Sequence, residues 1–114
     1  MSATKTDIHP AELADLMGRD EDLQVIDVRE TYERDAGHIA GTVHIPMVEL
    51  TARADEIDRE RPVVFYCRVG ARSDMAAQAF RASGYDARSM TGGLVRWAKE
   101  DRPLSPADGH VADH

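Results

Sequence analysis

The chain contains a single cysteine, Cys67, among 114 residues. One thiol excludes an internal disulfide framework and any multi-thiolate zinc or iron–sulfur centre held within one chain. A long hydrophobic run is also missing: nothing approaches the roughly 18 consecutive apolar residues of a membrane span. The opening, Met1-Ser-Ala-Thr-Lys-Thr-Asp7, has no apolar stretch of the kind a secretory signal requires. A free thiol then fits a reducing cytoplasm. Basic residues are outnumbered, 14 Lys and Arg against 21 Asp and Glu, for a formal net charge of −7. Nucleic acid needs a basic face, so it is not the expected partner. No internal repeat and no long linker divides the chain. Its apolar content of 42% is enough to pack one domain at this length.

Apolar spacing and punctuation predict an alternation of helices and strands. Pro10 suits a first helical position, Leu13, Leu16 and Met17 follow on one face, and Gly18 ends the helix. Residues 23–28 read as a buried strand, 30–36 as a short helix closed by Gly37, and 42–45 as a strand stopped by Pro46. Residues 47–58 are expected to be helical through Val48, Leu50, Ala54 and Ile57. The continuous apolar run at 62–66 fits a central parallel strand buried on both faces. Ser73 is a candidate cap for the next helix, which Gly84 stops. A strand at 85–90 and a last helix at 94–99 follow, with Met75 and Met90 read as core. This alternation implies an α/β domain with a mostly parallel central sheet and helices on both faces. The domain is expected over residues 4–103, with 104–114 a loose C-terminal tail, polar and holding Pro106 and Gly109.

Ligands of such sheets bind beyond the carboxyl ends of the strands. The segment there is Cys67-Arg-Val-Gly-Ala-Arg72-Ser73. A loop curling into a helix start turns successive N–H groups inward and makes an anion-binding nest. Gly70 permits backbone angles that a side chain forbids. A thiolate in that cradle is stabilised by N–H groups, by the helix dipole, and by Arg68 and Arg72. Residues 61–72 hold three arginines and no acid, a local reversal of sign in an acidic chain. Cys67 is therefore the candidate nucleophile, with Arg68, Val69, Gly70, Ala71, Arg72 and Ser73 as the candidate binding loop.

At this loop the sequence resembles the single-domain rhodanese (thiosulfate sulfurtransferase) family. Val25-Ile-Asp-Val-Arg29 is similar to the family's early strand and Asp-x-Arg signature. Tyr32-Glu33 together with Gly37-His-Ile-Ala-Gly-Thr-Val-His-Ile-Pro46 resembles its Gly-His-Ile-Pro-Gly-Ala element, with Ala40 and Thr42 as departures in a structural turn. Gly92-Gly93-Leu94 with Trp97 resembles its C-terminal Gly-Gly-x-x-x-Trp element. Four elements in the family's order imply a rhodanese-like three-layer fold. They imply a Cys67 thiolate that attacks the outer sulfur of a donor such as thiosulfate and forms a persulfide. Cyanide or a thiol then takes the sulfur, in ping-pong order and without metal or organic cofactor. Arg68 and Arg72 would orient the anionic donor. A persulfide carrier serving a protein acceptor needs the same loop and is the alternative. A phosphatase or arsenate reductase is a further rival, but phosphatases use Cys-x5-Arg, whereas Arg72 makes this loop Cys-x4-Arg and its smaller ring suits a single sulfur.

The remaining polar residues read as structural. The resemblance suggests that Asp27 orders the backbone at a strand end, and that Arg29 pairs with an acid such as Glu33. His38 is expected to stabilise a turn, and Trp97 to pack while covering one edge of the loop. His38 and His44 are six apart around a turn, His110 and His114 sit in the tail, and His9 is near a helix start, so no metal site is expected.

Overall fold

The structure, a computed structural model, describes residues 6–113. Its centre is the apolar run: Val63–Tyr66 (β4) is buried at every position. On one side β4 pairs with Gln24–Asp27 (β2), which pairs with Val43–His44 (β3). On the other it pairs with Ala87–Met90 (β5), which pairs with Asp7–Ile8 (β1). The order is β1-β5-β4-β2-β3, and every pairing among these strands is parallel. The mostly parallel α/β domain read from the sequence is this sheet. The edge strand β1 escaped that reading because two residues carry no period.

Alternation along β2 and β4 divides the core in two. Ile26, Val63, Phe65 and Cys67 face one way and pack with Ala76, Ala77 and Phe80 of Ala71–Ala82 (α3). Val25, Val64 and Tyr66 face the other way and pack with Leu13 of Pro10–Met17 (α1) and with Leu94 and Trp97 of Gly93–Lys99 (α4). Helices thus cover both faces, the arrangement that parallel sheets require. The short helix Thr31–Ala36 (α2) follows β2.

Three local expectations are corrected. Residues 47–58 form two short 3₁₀ turns, Met47–Glu49 and Ala54–Glu56, instead of one helix. Leu50 and Ile57 reach the core while Val48 is 87% exposed, so no continuous apolar face holds a longer helix. Met75 is 64% exposed and is not core, whereas Met90 is buried. Residues 104–113, expected as a loose tail, have fixed partners. Ser105 and His38 exchange backbone hydrogen bonds of 3.0 and 2.7 Å, and the His110 N–H donates to the Ala36 carbonyl at 2.9 Å. Gly37 makes room for this, since a side chain there would collide with the His110 backbone. The expected domain start at residue 4, and His114, lie outside the described residues.

Tyr66 anchors the far face. Its hydroxyl accepts the Ile39 N–H at 3.1 Å and lies 3.2 Å from Thr42 Oγ1, which itself donates to the Ile39 carbonyl at 2.6 Å. Thr42, a departure from the family pattern, is therefore knitted into the turn. Burial, followed by the charge of Asp27, pushes the Tyr66 phenol up to about 12. A phenol that resists ionisation in the fold contributes stability that is complete below the ordinary tyrosine range and is lost as pH climbs toward 12. Unfolding free energies measured between pH 9 and 12 should therefore fall by up to about 3 kcal/mol more in the native protein than in Tyr66→Phe. Equal falls would remove Tyr66 as the cause.

Candidate active site

Cys67 follows β4 directly and is 1% exposed. The chain turns sharply at Gly70, whose φ of 115° is open to glycine and strained for other residues. That turn starts α3, with Gly70 at the N-cap. Ser73 is therefore not the cap: it lies one turn inside, buried, and its hydroxyl donates to the Gly70 carbonyl at 3.2 Å. The loop closes around sulfur. Sγ accepts N–H groups from Gly70 at 3.0 Å and Ser73 at 3.4 Å. Ser73 Oγ stands 3.5 Å from Sγ and 2.7 Å from Ser89 Oγ, in a hydroxyl pair that reaches β5. Ser89 is a neighbour of the site that sequence reasoning missed, because it arrives from a different strand.

The loop is braced from behind by the start of α4. The Leu94 and Val95 N–H groups donate to the Cys67 and Arg68 carbonyls at 2.8 and 3.0 Å. Gly93, at φ 62°, approaches so closely that a side chain would collide with the Arg68 carbonyl. This explains the Gly92-Gly93-Leu94 element. Trp97 is buried in the far core, and its indole N–H donates to the Pro103 carbonyl at 2.8 Å. The contact with the cysteine loop comes from Gly93, Leu94 and Val95.

The two loop arginines have acidic partners. Arg72 makes a two-pronged pair with Glu33, 2.7 Å from Nη1 to Oε1 and 2.9 Å from Nη2 to Oε2. These hydrogen bonds push Arg72 further up. Burial alone would raise the Glu33 carboxyl, but the bonds from Arg72 and the Glu30 backbone hold it below the ordinary carboxylate range. Arg68 turns to residues outside the loop: Nε donates to the Ala112 carbonyl at 3.1 Å, and Nη2 lies 3.2 Å from Asp113 Oδ1.

Arg29 pairs with an acid, but not with the Glu33 carboxylate that was expected. It clasps Asp27 instead, at 2.9 Å from Nε to Oδ1 and 2.8 Å from Nη2 to Oδ2, with neither side chain exposed. The Glu33 carboxylate is taken by Arg72, and Arg29 reaches only the Glu33 carbonyl, at 3.3 Å. Arg29 also donates to the Gly37 carbonyl at 2.8 Å. His38 Nδ1 lies 3.1 Å from the Arg34 carbonyl, at the turn after α2.

A cleft of about 400 Å³ opens over Cys67. Val28, Tyr32, Met47, Val48 and Val69 give it largely apolar walls. Its charged lining residues are Glu30, Glu33 and Arg72. The arrangement can hold an anionic sulfur at the floor, on N–H groups and a helix start.

A buried cysteine cradled by N–H groups, at the carboxyl end of the central strand of a parallel sheet, marks an α/β domain whose candidate site lies beyond the strand ends. Comparison with known proteins narrows the class: the Rhodanese-like domain profile matches residues 9–100, and the chain belongs to that family. It is 32% identical over 104 residues to a sulfurtransferase of Allochromatium vinosum, covering 90% of this chain and 97% of that protein. It is 41% identical over 75 residues to the Bacillus subtilis protein YqhL, covering 65% of this chain and 60% of that relative. Among solved structures, a rhodanese-related protein from Thermoplasma volcanium superposes with a TM-score of 0.80 at 28% identity, over 87% of this chain and 96% of that one.

Removing one partner of a fully buried pair strands the other charge, at a cost of roughly 3–5 kcal/mol. Asp27→Ala should lower the unfolding free energy by that amount in a denaturant titration, while activity per folded molecule changes less than about tenfold. A stable variant with little activity would instead place Asp27 in the chemistry.

Proposed function

We propose that the protein is a sulfurtransferase that moves a sulfane sulfur from a donor such as thiosulfate to cyanide or a thiol, through a Cys67 persulfide. The observation that carries this reading is the Cys67 Sγ itself, held by two loop N–H groups on the floor of a cleft. The family assignment and the similarity to the A. vinosum sulfurtransferase support it.

In the first half-reaction the Cys67 thiol gives its proton to solvent and the thiolate attacks the donor's outer sulfur. The donor's S–S bond breaks and its electron pair leaves with sulfite, so Cys67–S–S⁻ remains. In the second, cyanide or a thiolate attacks the terminal persulfide sulfur. Thiocyanate or a new persulfide departs, and the Cys67 thiolate is restored. The Gly70 and Ser73 N–H groups hold the sulfur anion in each resting state, and their fixed orientation costs no reorganisation during transfer. Val69 and Ala71 complete the loop backbone, and Arg72 stands in the cleft wall. Neither half-reaction needs a metal or organic cofactor, and a reducing compartment such as the cytoplasm suits the thiol. The four-residue spacing from Cys67 to Arg72 speaks against a phosphate ester as substrate.

A carrier role uses the same persulfide with a protein acceptor. It is favoured by 41% identity over 66 residues to a sulfur carrier protein of B. subtilis, YrkF, a match covering 58% of this chain and 36% of that one.

Intact mass spectrometry after incubation with thiosulfate should show one added sulfur atom, removed by cyanide and absent in Cys67→Ala. Absence of an adduct with every sulfane donor tried, or aryl phosphate hydrolysis lost on Cys67→Ser, would sink the proposal. A persulfide that forms but passes only to a protein would assign the carrier role.

A further inference from the structure

The cleft above Cys67 lacks the feature that a small dianion requires. Arg72 is the basic residue of its lining, and both terminal nitrogens of that guanidinium are engaged by the two oxygens of Glu33. Arg68 is not part of the lining, and its guanidinium faces Ala112 and Asp113. Glu30 adds an acid at the cleft, and the chain as a whole carries −7. The Gly70 and Ser73 N–H groups are already directed at the sulfur that becomes negative once Cys67 ionises. Among the described residues that line the cleft, a donor carrying two further charges would meet no free cation.

The rim offers apolar surface instead. Tyr32 is 50% exposed, Val48 87% and Val69 48%, and all three line the same cleft. Side chains of this kind standing in water beside a buried nucleophile bind best to something that covers them. Since Cys67 is itself buried, the occupant must reach down past them to react.

We propose that Glu33 is a specificity-determining positioning residue: by neutralising Arg72, it sets the cleft to select organic sulfane donors with an apolar substituent and one negative charge over the thiosulfate dianion. This rests on the sulfurtransferase reading and names its substrate class. Benzenethiosulfonate has the required chemistry. The Cys67 thiolate attacks its outer sulfur, the S–S bond breaks, and the electron pair leaves as benzenesulfinate. Charge balances at −2 on both sides, and no oxidant or reductant is consumed. The phenyl ring would lie against Tyr32, Val48 and Val69.

The test compares kcat/KM for thiosulfate and benzenethiosulfonate in three proteins, so that the intrinsic reactivity of each donor cancels. Glu33→Gln leaves Arg72 an unneutralised cation and should raise the thiosulfate-to-benzenethiosulfonate ratio roughly tenfold. Val48→Lys places a cation on the rim at a position remote from the core, and should raise the same ratio even if the first variant folds poorly. A merely structural Glu33 would lower both donors together and leave the ratio unmoved. In the native protein, thiosulfate kcat/KM should stay flat or rise between about 0.05 and 0.3 M salt, because screening relieves repulsion. Binding without chemistry is read in Cys67→Ala by NMR titration, where benzenesulfonate should bind more tightly than sulfate. A thiosulfate rate that falls steeply with salt, an unmoved ratio in folded Glu33→Gln, an unmoved ratio in Val48→Lys, or sulfate binding at least as tight as benzenesulfonate would overturn the proposal. If neither donor leaves sulfur on Cys67 while Cys67→Ala still prefers benzenesulfonate, the cleft's selectivity stands and the sulfurtransferase reading falls.

Discussion

The pairing of Arg29 with Asp27 is the constraint on which the site's geometry depends. Both side chains are wholly buried. Two charges removed from water are tolerable only when nearly every hydrogen-bonding position is filled. Arg29 meets that demand by reaching across α2, to the Glu33 carbonyl and to the Gly37 carbonyl at its end. Asp27 is shared with Arg34, which also grips the Thr42 hydroxyl and carbonyl at 3.2 and 2.7 Å. One buried pair thereby fixes a strand end, a helix and the turn beyond it. Burial opposes the arginine's charge, yet the Asp27 bonds outweigh it and push Arg29 upward. The α2 helix is only six residues long, and helices of that length have little stability of their own. Its position is set by this network, and Glu33 is delivered to the cleft wall as a consequence.

Cys67 is placed by a separate and simpler rule. Alternation along β4 sends residues 63, 65 and 67 toward α3, so the first residue past the strand arrives on the face where that helix begins. A left-handed Gly70 then folds the loop back, and the N–H groups of Gly70 and Ser73, at the start of α3, point at sulfur instead of water. Charge on the sulfur is thus met by backbone dipoles. The arginines of the same loop serve other ends. Arg72 crosses to Glu33, 39 positions earlier in the chain, and Arg68 to the segment that the sequence suggested was loose.

That division explains what could be read from the sequence. The sheet, its central strand and the cysteine loop were legible because each rests on short-range pattern: an apolar run, a strand–loop–helix order, a glycine where the backbone must reverse. Ser73 shows the limit. It is a residue of helix-start type, but Gly70 takes the cap that Ser73 seemed suited to, because the turn needs a positive φ more than a side-chain acceptor. The partners of Arg29, Arg68 and Arg72 were not legible. Several acids stand within reach along the chain, and only tertiary packing decides which carboxylate each guanidinium meets. The acid-free run at 61–72 is a true feature of the sequence and a misleading one for the site. Its positive sign is matched in space by Glu33 and Asp113.

The solitary thiol has a mechanistic consequence once the cleft is considered. In the proposed reaction a persulfide on Cys67 would find no second cysteine among these 114 residues to displace it, so its sulfur would pass to an external nucleophile. With Cys67 1% exposed, that nucleophile has to enter by the route the donor used, and the donor's remnant must leave first. Ping-pong order is then a matter of space as much as of covalent chemistry. On that reading the same walls would act on both half-reactions: a neutralised arginine, an extra acid and an apolar rim would disfavour small multivalent anions whether they arrive as donors or linger as products. A compact acceptor such as cyanide would pass the rim without using it, whereas a thiol on an apolar body would gain from the contact. The two ends of the proposed reaction would therefore be tied to one feature of the fold, the pairing of Arg72 with Glu33.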